Sequence, residues 1–209
     1  MHRKRSKWEL GTWSAAALAS LCLAAAHGAG ADSLQLSPER TQIRFDFDST
    51  LHRVEGSARL LQGEVSFDER SGRAGGRIAI DARSAETGNG LRDRKMHQEV
   101  LESERYAEIV FVPEHVEVVR HSADRGDVVL AGRLQMHGSE HALRIPARIE
   151  RQGEEIRIVA SFRIPYVVWG LRDVSNLLLS VDPEVDVHVE ATGRLRAEAA
   201  AAEPAPALP

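Results

Sequence analysis

Cysteine is almost missing from this 209-residue chain; Cys22 is its only one. The position falls within an N-terminal segment that reads as a signal peptide, so the exported form contains no cysteine. Its stability has to come from a core rather than from disulfides, and thiolate nucleophiles are excluded. Aromatic residues are also scarce, at 5%. An outer-membrane barrel needs aromatic girdles around a lipid-facing apolar band. Here the positions between the apolar ones include Arg44, Asp46, Arg157 and Arg163, so a water-soluble protein is expected. No basic stripe of the kind that neutralises phosphates is present, which argues against nucleic-acid binding. Also absent are an HExxH, a GxSxG elbow, a P-loop and a dinucleotide fingerprint.

The first 31 residues have three zones: the basic Arg3, Lys4, Arg5 and Lys7, a small apolar run from Ser14 to Ala26, and Ala29-Gly30-Ala31 before Asp32. This is the layout of a secretory signal, with cleavage expected after Ala31. The run is shorter than the roughly twenty residues needed to span a bilayer, so no permanent membrane anchor is expected. Leu21 precedes Cys22, where a lipoprotein signal would place a small residue. The segment carries four basic residues and one acid, Glu9, so its removal takes the net charge from −4 to −7. A periplasmic or secreted protein is expected, with one domain over residues 32–196 and a disordered Ala/Glu/Pro tail over 197–209.

From residue 41 onward apolar residues recur two apart, the period of strands with one buried face. The runs are Ile43, Phe45 and Phe47; Val65 and Phe67; Ile78, Ile80 and Ala82; Ile109 and Phe111, ending before Pro113; Val128 to Met136; Ile156 to Ile164; and Val185 to Ala191. Turn-forming clusters separate them at 69–72, 137–140 and 151–154. Eight to ten strands in antiparallel hairpins are predicted, and so many strands need a closed barrel or a sandwich to avoid costly edges. Between Leu91 and Leu101 the spacing turns helical, with Asn89 placed to cap a short helix. Tyr166–Asn176 is aperiodic, and Leu177-Leu178-Leu179 reads either as a buried strand or as a loop dipping into the core.

Candidate chemistry is sparse. Of the seven histidines beyond residue 31, His137 and His141 are four apart, but Gly138-Ser139 puts them on a hairpin rather than a helix face, and two ligands fall short of a zinc site. No metal and no cofactor are expected. The densest polar cluster, Arg92, Asp93, Lys95 and His97 after Thr87-Gly88-Asn89-Gly90, reads first as a loop-to-helix junction. Its functional alternative is a cavity mouth contacting a polar head group.

In order along the chain, Leu51 to Gly56, Gly63 to Asp68, Thr87-Gly88-Asn89 with Arg92-Asp93 and Met96, Tyr106 to Phe111, Gly132 to Gly138, and Trp169-Gly170-Leu171 resemble the YceI-like family. The resemblance spans about residues 34–195. It implies an all-β, antiparallel, lipocalin-like barrel of about eight strands with a short helix and an internal apolar cavity for a polyisoprenoid or similar lipid. The sequence departs from the family pattern at Ala107, where proline is common, at the His137-Gly138-Ser139-Glu140 turn, and in the bulky Tyr166-Val167-Val168-Trp169. These departures bear on the ligand more than on the fold.

The expected ligand-binding wall is Phe45, Phe47, Phe67, Ile78, Ile80, Phe111, Leu130, Leu134, Met136, Phe162 and Ile164, joined by Met96, with Tyr166 and Trp169 near an opening. Arg92, Asp93 and His97 are expected at the mouth or its loop. A carrier or buffer for an apolar ligand is the leading reading, and assembly as a homodimer stays open. Two alternatives stay open: a hydrolase or isomerase using His52, His97 or Asp93 as acid/base groups, and a ligand-free interaction module whose barrel is filled by its own side chains.

Overall fold

The computed structural model describes residues 32–175 and 180–196. The expected signal segment, the Leu177-Leu178-Leu179 stretch and the C-terminal tail lie outside the described residues. Nine strands follow in order: β1 (Asp32–Leu36), β2 (Gln42–Asp48), β3 (Arg53–Phe67), β4 (Ala74–Glu86), β5 (Glu108–His121), β6 (Arg125–Met136), β7 (Ser139–Gln152), β8 (Glu155–Ile164) and β9 (Val185–Arg196). All pairings are antiparallel, each strand lies beside the next from β4 to β9, and β3–β4 closes the ring.

Nine strands make eight lanes because β1 and β2 share one. β2 pairs with Arg53–Ala58 of β3 and Asp186–Glu190 of β9. β1 pairs farther along the same two neighbours, at Gly63–Phe67 and Gly193–Arg196. A 3₁₀ turn over Pro38–Arg40 separates the two pieces. The chain therefore folds as a closed, eight-lane, lipocalin-like barrel, with no open sheet edge to protect.

The period-two runs explain the walls, since alternate residues face the lumen and solvent. On β7, Ile145, Ala147 and Ile149 line the lumen and Leu143 packs in the buried cluster, while Arg144 and Arg148 pair outward with Glu117 and Asp127. The run at Ile109 and Phe111 does not stop at Pro113. The strand continues to His121, with register shifts between Pro113 and His115 and between Val118 and Arg120. Proline lacks an N–H, and a bulge lets a strand carry it. Opposite Pro113 lies Gly132, where a Cβ would fall 2.2 Å from the Val112 carbonyl oxygen. Only glycine permits that approach.

The expected helix is present as α1 (Gly90–Lys95), running into a π turn over Met96–Val100. The Asn89 side chain accepts from the Leu91 and Arg92 amides, as a helix cap does. His137 and Gly138 form the two-residue β6–β7 turn with φ of 51° and 77°. Two successive positive angles define the I′ type that suits a hairpin, confirming that His137 and His141 do not share a helix face.

Candidate functional site

Strand directions give the barrel two ends. The hairpin end carries the connections at 68–73, 122–124 and 153–154; the helix end carries 49–52, 87–107, 137–138, 165–175 and 180–184. A single cavity of about 1040 Å³ reaches residues of both, from Asp68, Ala123 and Arg151 to Thr87, Met96 and Val181. Its volume lies at the upper end of ordinary ligand pockets. Between the rims the wall is almost wholly aliphatic or aromatic, with charged groups confined to the two ends.

The barrel is not filled by its own side chains. Ile43, Phe45, Phe47, Ile80, Leu130 and Ile158 face inward yet are only half-buried. The space in front of them is the tunnel. Dense packing is concentrated at the helix end, where Phe111, Leu134, Met136, Leu143, Tyr166 and Leu171 form one buried cluster against Val100, Leu101 and Trp169. A smaller cluster of Leu36, Leu60 and Ala191 lies elsewhere in the barrel.

Of the residues singled out from sequence, Phe45, Phe47, Phe67, Ile78, Ile80, Met96, Phe111, Leu130, Leu134, Met136, Phe162, Ile164 and Tyr166 all line the tunnel. Trp169 does not. Its ring stacks on His141, with centroids 4.4 Å apart and planes 3° apart. It backs the buried cluster at the helix end instead of facing the lumen. His141 Nε2 is buried there with no hydrogen-bond partner among the described residues.

The polar cluster divides in two. Arg92 lines the tunnel while its Nε donates to the Thr87 hydroxyl at 2.7 Å and its Nη2 to the Thr87 carbonyl at 3.0 Å. Asp93 and His97 lie off the wall. Asp93 Oδ1 accepts from the Thr87 amide and hydroxyl, and His97 bridges the Ala85 carbonyl and the Ser103 hydroxyl, each at 2.9 Å. A carbonyl can only accept, so Nε2 of His97 carries a proton. These two side chains fasten the helical segment to β4.

Sequence reading missed Leu34, Leu36, Leu60, Ile145, Ile149 and Val189 as wall residues. The signal was available in the alternation of Ile145, Ala147 and Ile149. It also missed Leu91, whose place at the rim follows loop geometry, and Val116 and Val118, which alternate on the part of β5 beyond Pro113 where the sequence run was ended.

Tyr166 has the one large pKa shift among the described residues. Burial, reinforced by the negative charges of Asp173 and Asp182, pushes its phenol up to about 12. A neutral phenol is thus favoured by folding. The stability it contributes is present below the ordinary tyrosine range and is lost as pH rises through about 12. Phenolate absorbance at 295 nm is expected to show a late component with that midpoint, missing in Tyr166→Phe. If the late component survived in the variant, the assignment would be wrong.

On the outer wall, Ser161 Oγ lies 3.0 Å from His188 Nδ1, and His188 Nε2 lies 3.1 Å from Asp46 Oδ1. That is the order of nucleophile, base and orienter. Asp46 also pairs with Arg53. Ser161 and His188 stand exposed on a flat sheet face whose backbone is committed to the β8–β9 ladder, leaving no amides to stabilise an oxyanion there. The row ties the outer surfaces of β8, β9 and β2 together.

The family profile of the YceI-like domain matches residues 34–193. The chain belongs to the YceI-like family. No curated protein matches it. Among solved structures, BcnA of Burkholderia cenocepacia is similar with a TM-score of 0.60 at 12% identity, covering 75% of this chain and 98% of that one. A polyisoprenoid binding domain from Saccharophagus degradans, implicated in plant cell wall breakdown, gives 0.57 at 14%, covering 78% and 98%. The YceI protein of Campylobacter jejuni gives 0.51 at 16%, covering 66% and 80%. Such identities speak to the shared barrel. In this YceI-like chain the features that bear on a ligand are its own tunnel and rims.

Proposed function

We propose that this YceI-like protein is a periplasmic or secreted carrier or buffer that holds one long apolar lipid, of the polyisoprenoid class, along the barrel axis. The observation that carries the reading is the continuous apolar tunnel of about 1040 Å³ between two polar rims. Apolar surface exposed inside a barrel is costly unless something covers it. An elongated hydrocarbon covers it along its whole length, whereas a compact polar substrate would leave most of the wall bare. The similarity to a polyisoprenoid binding domain supports this class of ligand.

Affinity is expected to rise with each added isoprene unit until the tunnel is full, then level off. At ~0.8 kcal/mol per buried CH₂-sized group, a five-carbon unit contributes up to roughly 3–4 kcal/mol less its immobilisation cost. Even half of that is about tenfold in affinity. Competition of a series of isoprenoid alcohols against an apolar fluorescent dye measures it, and mass spectrometry of organic extracts of the purified protein identifies the natural occupant. A flat series would remove the tunnel as the site.

A further inference from the structure

The polar side chains buried in this barrel mostly have partners. Asp46, 8% exposed, is held by Arg53 and His188, and Ser103, 3% exposed, by His97. Two groups differ. One is His141 Nε2, which has no partner among the described residues but lies off the tunnel wall, in a ring stacked on Trp169. The other is the Tyr166 hydroxyl. Tyr166 is 6% exposed and lines the tunnel at the helix end, and among the described residues its hydroxyl donates to no acceptor. The side chains clustered with it, Phe111, Leu134, Met136, Leu143 and Leu171, are apolar.

This phenol keeps its proton up to about 12, so at ordinary pH it is an O–H donor. A buried donor without a partner forfeits free energy that one hydrogen bond restores. The tunnel is the side from which a partner can arrive, and a bare hydrocarbon does not supply one.

The charge around the hydroxyl narrows the partner further. Burial first, then the carboxylates of Asp173 and Asp182, resist a negative charge on the phenol oxygen. They resist a phosphate oxygen at the same spot for the same reason. Arg92 and Lys95 line this end too, yet the charges acting on the phenol are those of the two aspartates, and Arg92 commits Nε and Nη2 to Thr87. A carbonyl or hydroxyl oxygen accepts the hydrogen bond and brings no charge.

Resting on the carrier reading above, we propose that Tyr166 selects lipids whose head group is neutral and carries an accepting oxygen, a carbonyl or hydroxyl, seated at the helix end of the tunnel. Tyr166 opens the bulky stretch in which this chain departs from the family pattern, so the selection belongs to this chain and not to the barrel as such.

The test is competition against N-phenyl-1-naphthylamine by four ligands built on one isoprenoid chain: the hydrocarbon, the alcohol, the methyl ketone and the monophosphate. Tyr166→Phe is expected to weaken the ketone and the alcohol about fivefold, the effect of one neutral hydrogen bond, and to leave the hydrocarbon unchanged. In the wild type the monophosphate is expected to bind at least tenfold more weakly than the alcohol. The infrared carbonyl stretch of the bound ketone should lie below its value in hydrocarbon solvent and return to it in Y166F. Equal ketone affinity in the two proteins, a wild-type stretch at the solvent value, a lowered stretch that persists in Y166F, or a monophosphate as tight as the alcohol would overturn the selection. If Y166F loses the hydrocarbon as well, the wild-type stretch alone decides. Failure of all four ligands to displace the dye would instead overturn the carrier reading.

Discussion

Tryptophan at Ala58 and Ala147 together is expected to lower affinity for a long isoprenoid by at least a hundredfold while leaving the protein folded. The two alanines lie on β3 and β7, four lanes apart and therefore on opposite walls. Both line the tunnel and are only half-buried, so empty space lies in front of them. An indole is a large, stiff apolar body, and an eight-stranded barrel is only just wide enough for its own side chains or one small ligand. Two indoles obstruct the passage that a full-length chain must occupy, and a hundredfold loss corresponds to about 2.7 kcal/mol. Because they fill space instead of displacing neighbours, the overpacking cost of about 1–3 kcal/mol seen in dense cores does not apply. A short ligand held beyond the obstruction should lose far less. Isothermal titration with long and short alcohols separates the cases, and wild-type affinity for the long one would sink the axial pose.

Valine at Gly132 is expected to be the most damaging single change to the fold. Its Cβ would sit 2.2 Å from the Val112 carbonyl oxygen and 2.9 Å from the Phe111 ring. The first contact is with backbone, and no rotamer relieves it. The β5–β6 pairing has to open at the point where Pro113 already interrupts the ladder. Overpacking of this kind costs about 3 kcal/mol or more, equivalent to a fall in melting temperature of about 6–12 °C for a chain this size. Thermal circular dichroism reads it directly. A melting temperature within two or three degrees of wild type would mean that the two strands separate at little cost.

Most of the barrel was legible because strand periodicity is a local property: Ile43, Phe45 and Phe47 face one way whatever their neighbours. The same rule identified eleven of the wall residues before their partners were known; Met96 came from helical spacing and Tyr166 from an aperiodic segment. It failed where position depends on the whole fold. Trp169 lies in an aperiodic turn, and its docking on His141 is set by contact across distant sequence. Leu91 belongs to the apolar series read at helical spacing with Met96, Val100 and Leu101, yet its short helix lies at a mouth, so the side chain is exposed. Lumen occupancy was not legible at all. Whether inward residues meet across the centre depends on strand number and tilt, and the same alternation describes a filled barrel and a hollow one.

The shared lane of β1 and β2 has a consequence for the order of folding. Its partner on one side is β9, so Leu34 lies opposite Leu195 and Phe45 opposite Val187. These contacts join nearly the two ends of the described chain. Loop closure on that scale makes for high contact order and folding on the slow side, in the millisecond-to-second range. No nascent chain that stops short of β9 can satisfy the free sides of β1, β2 and β8. Until synthesis is complete the protein is an open sheet with exposed edges, a state that a chaperone can hold extended and that aggregates if left alone.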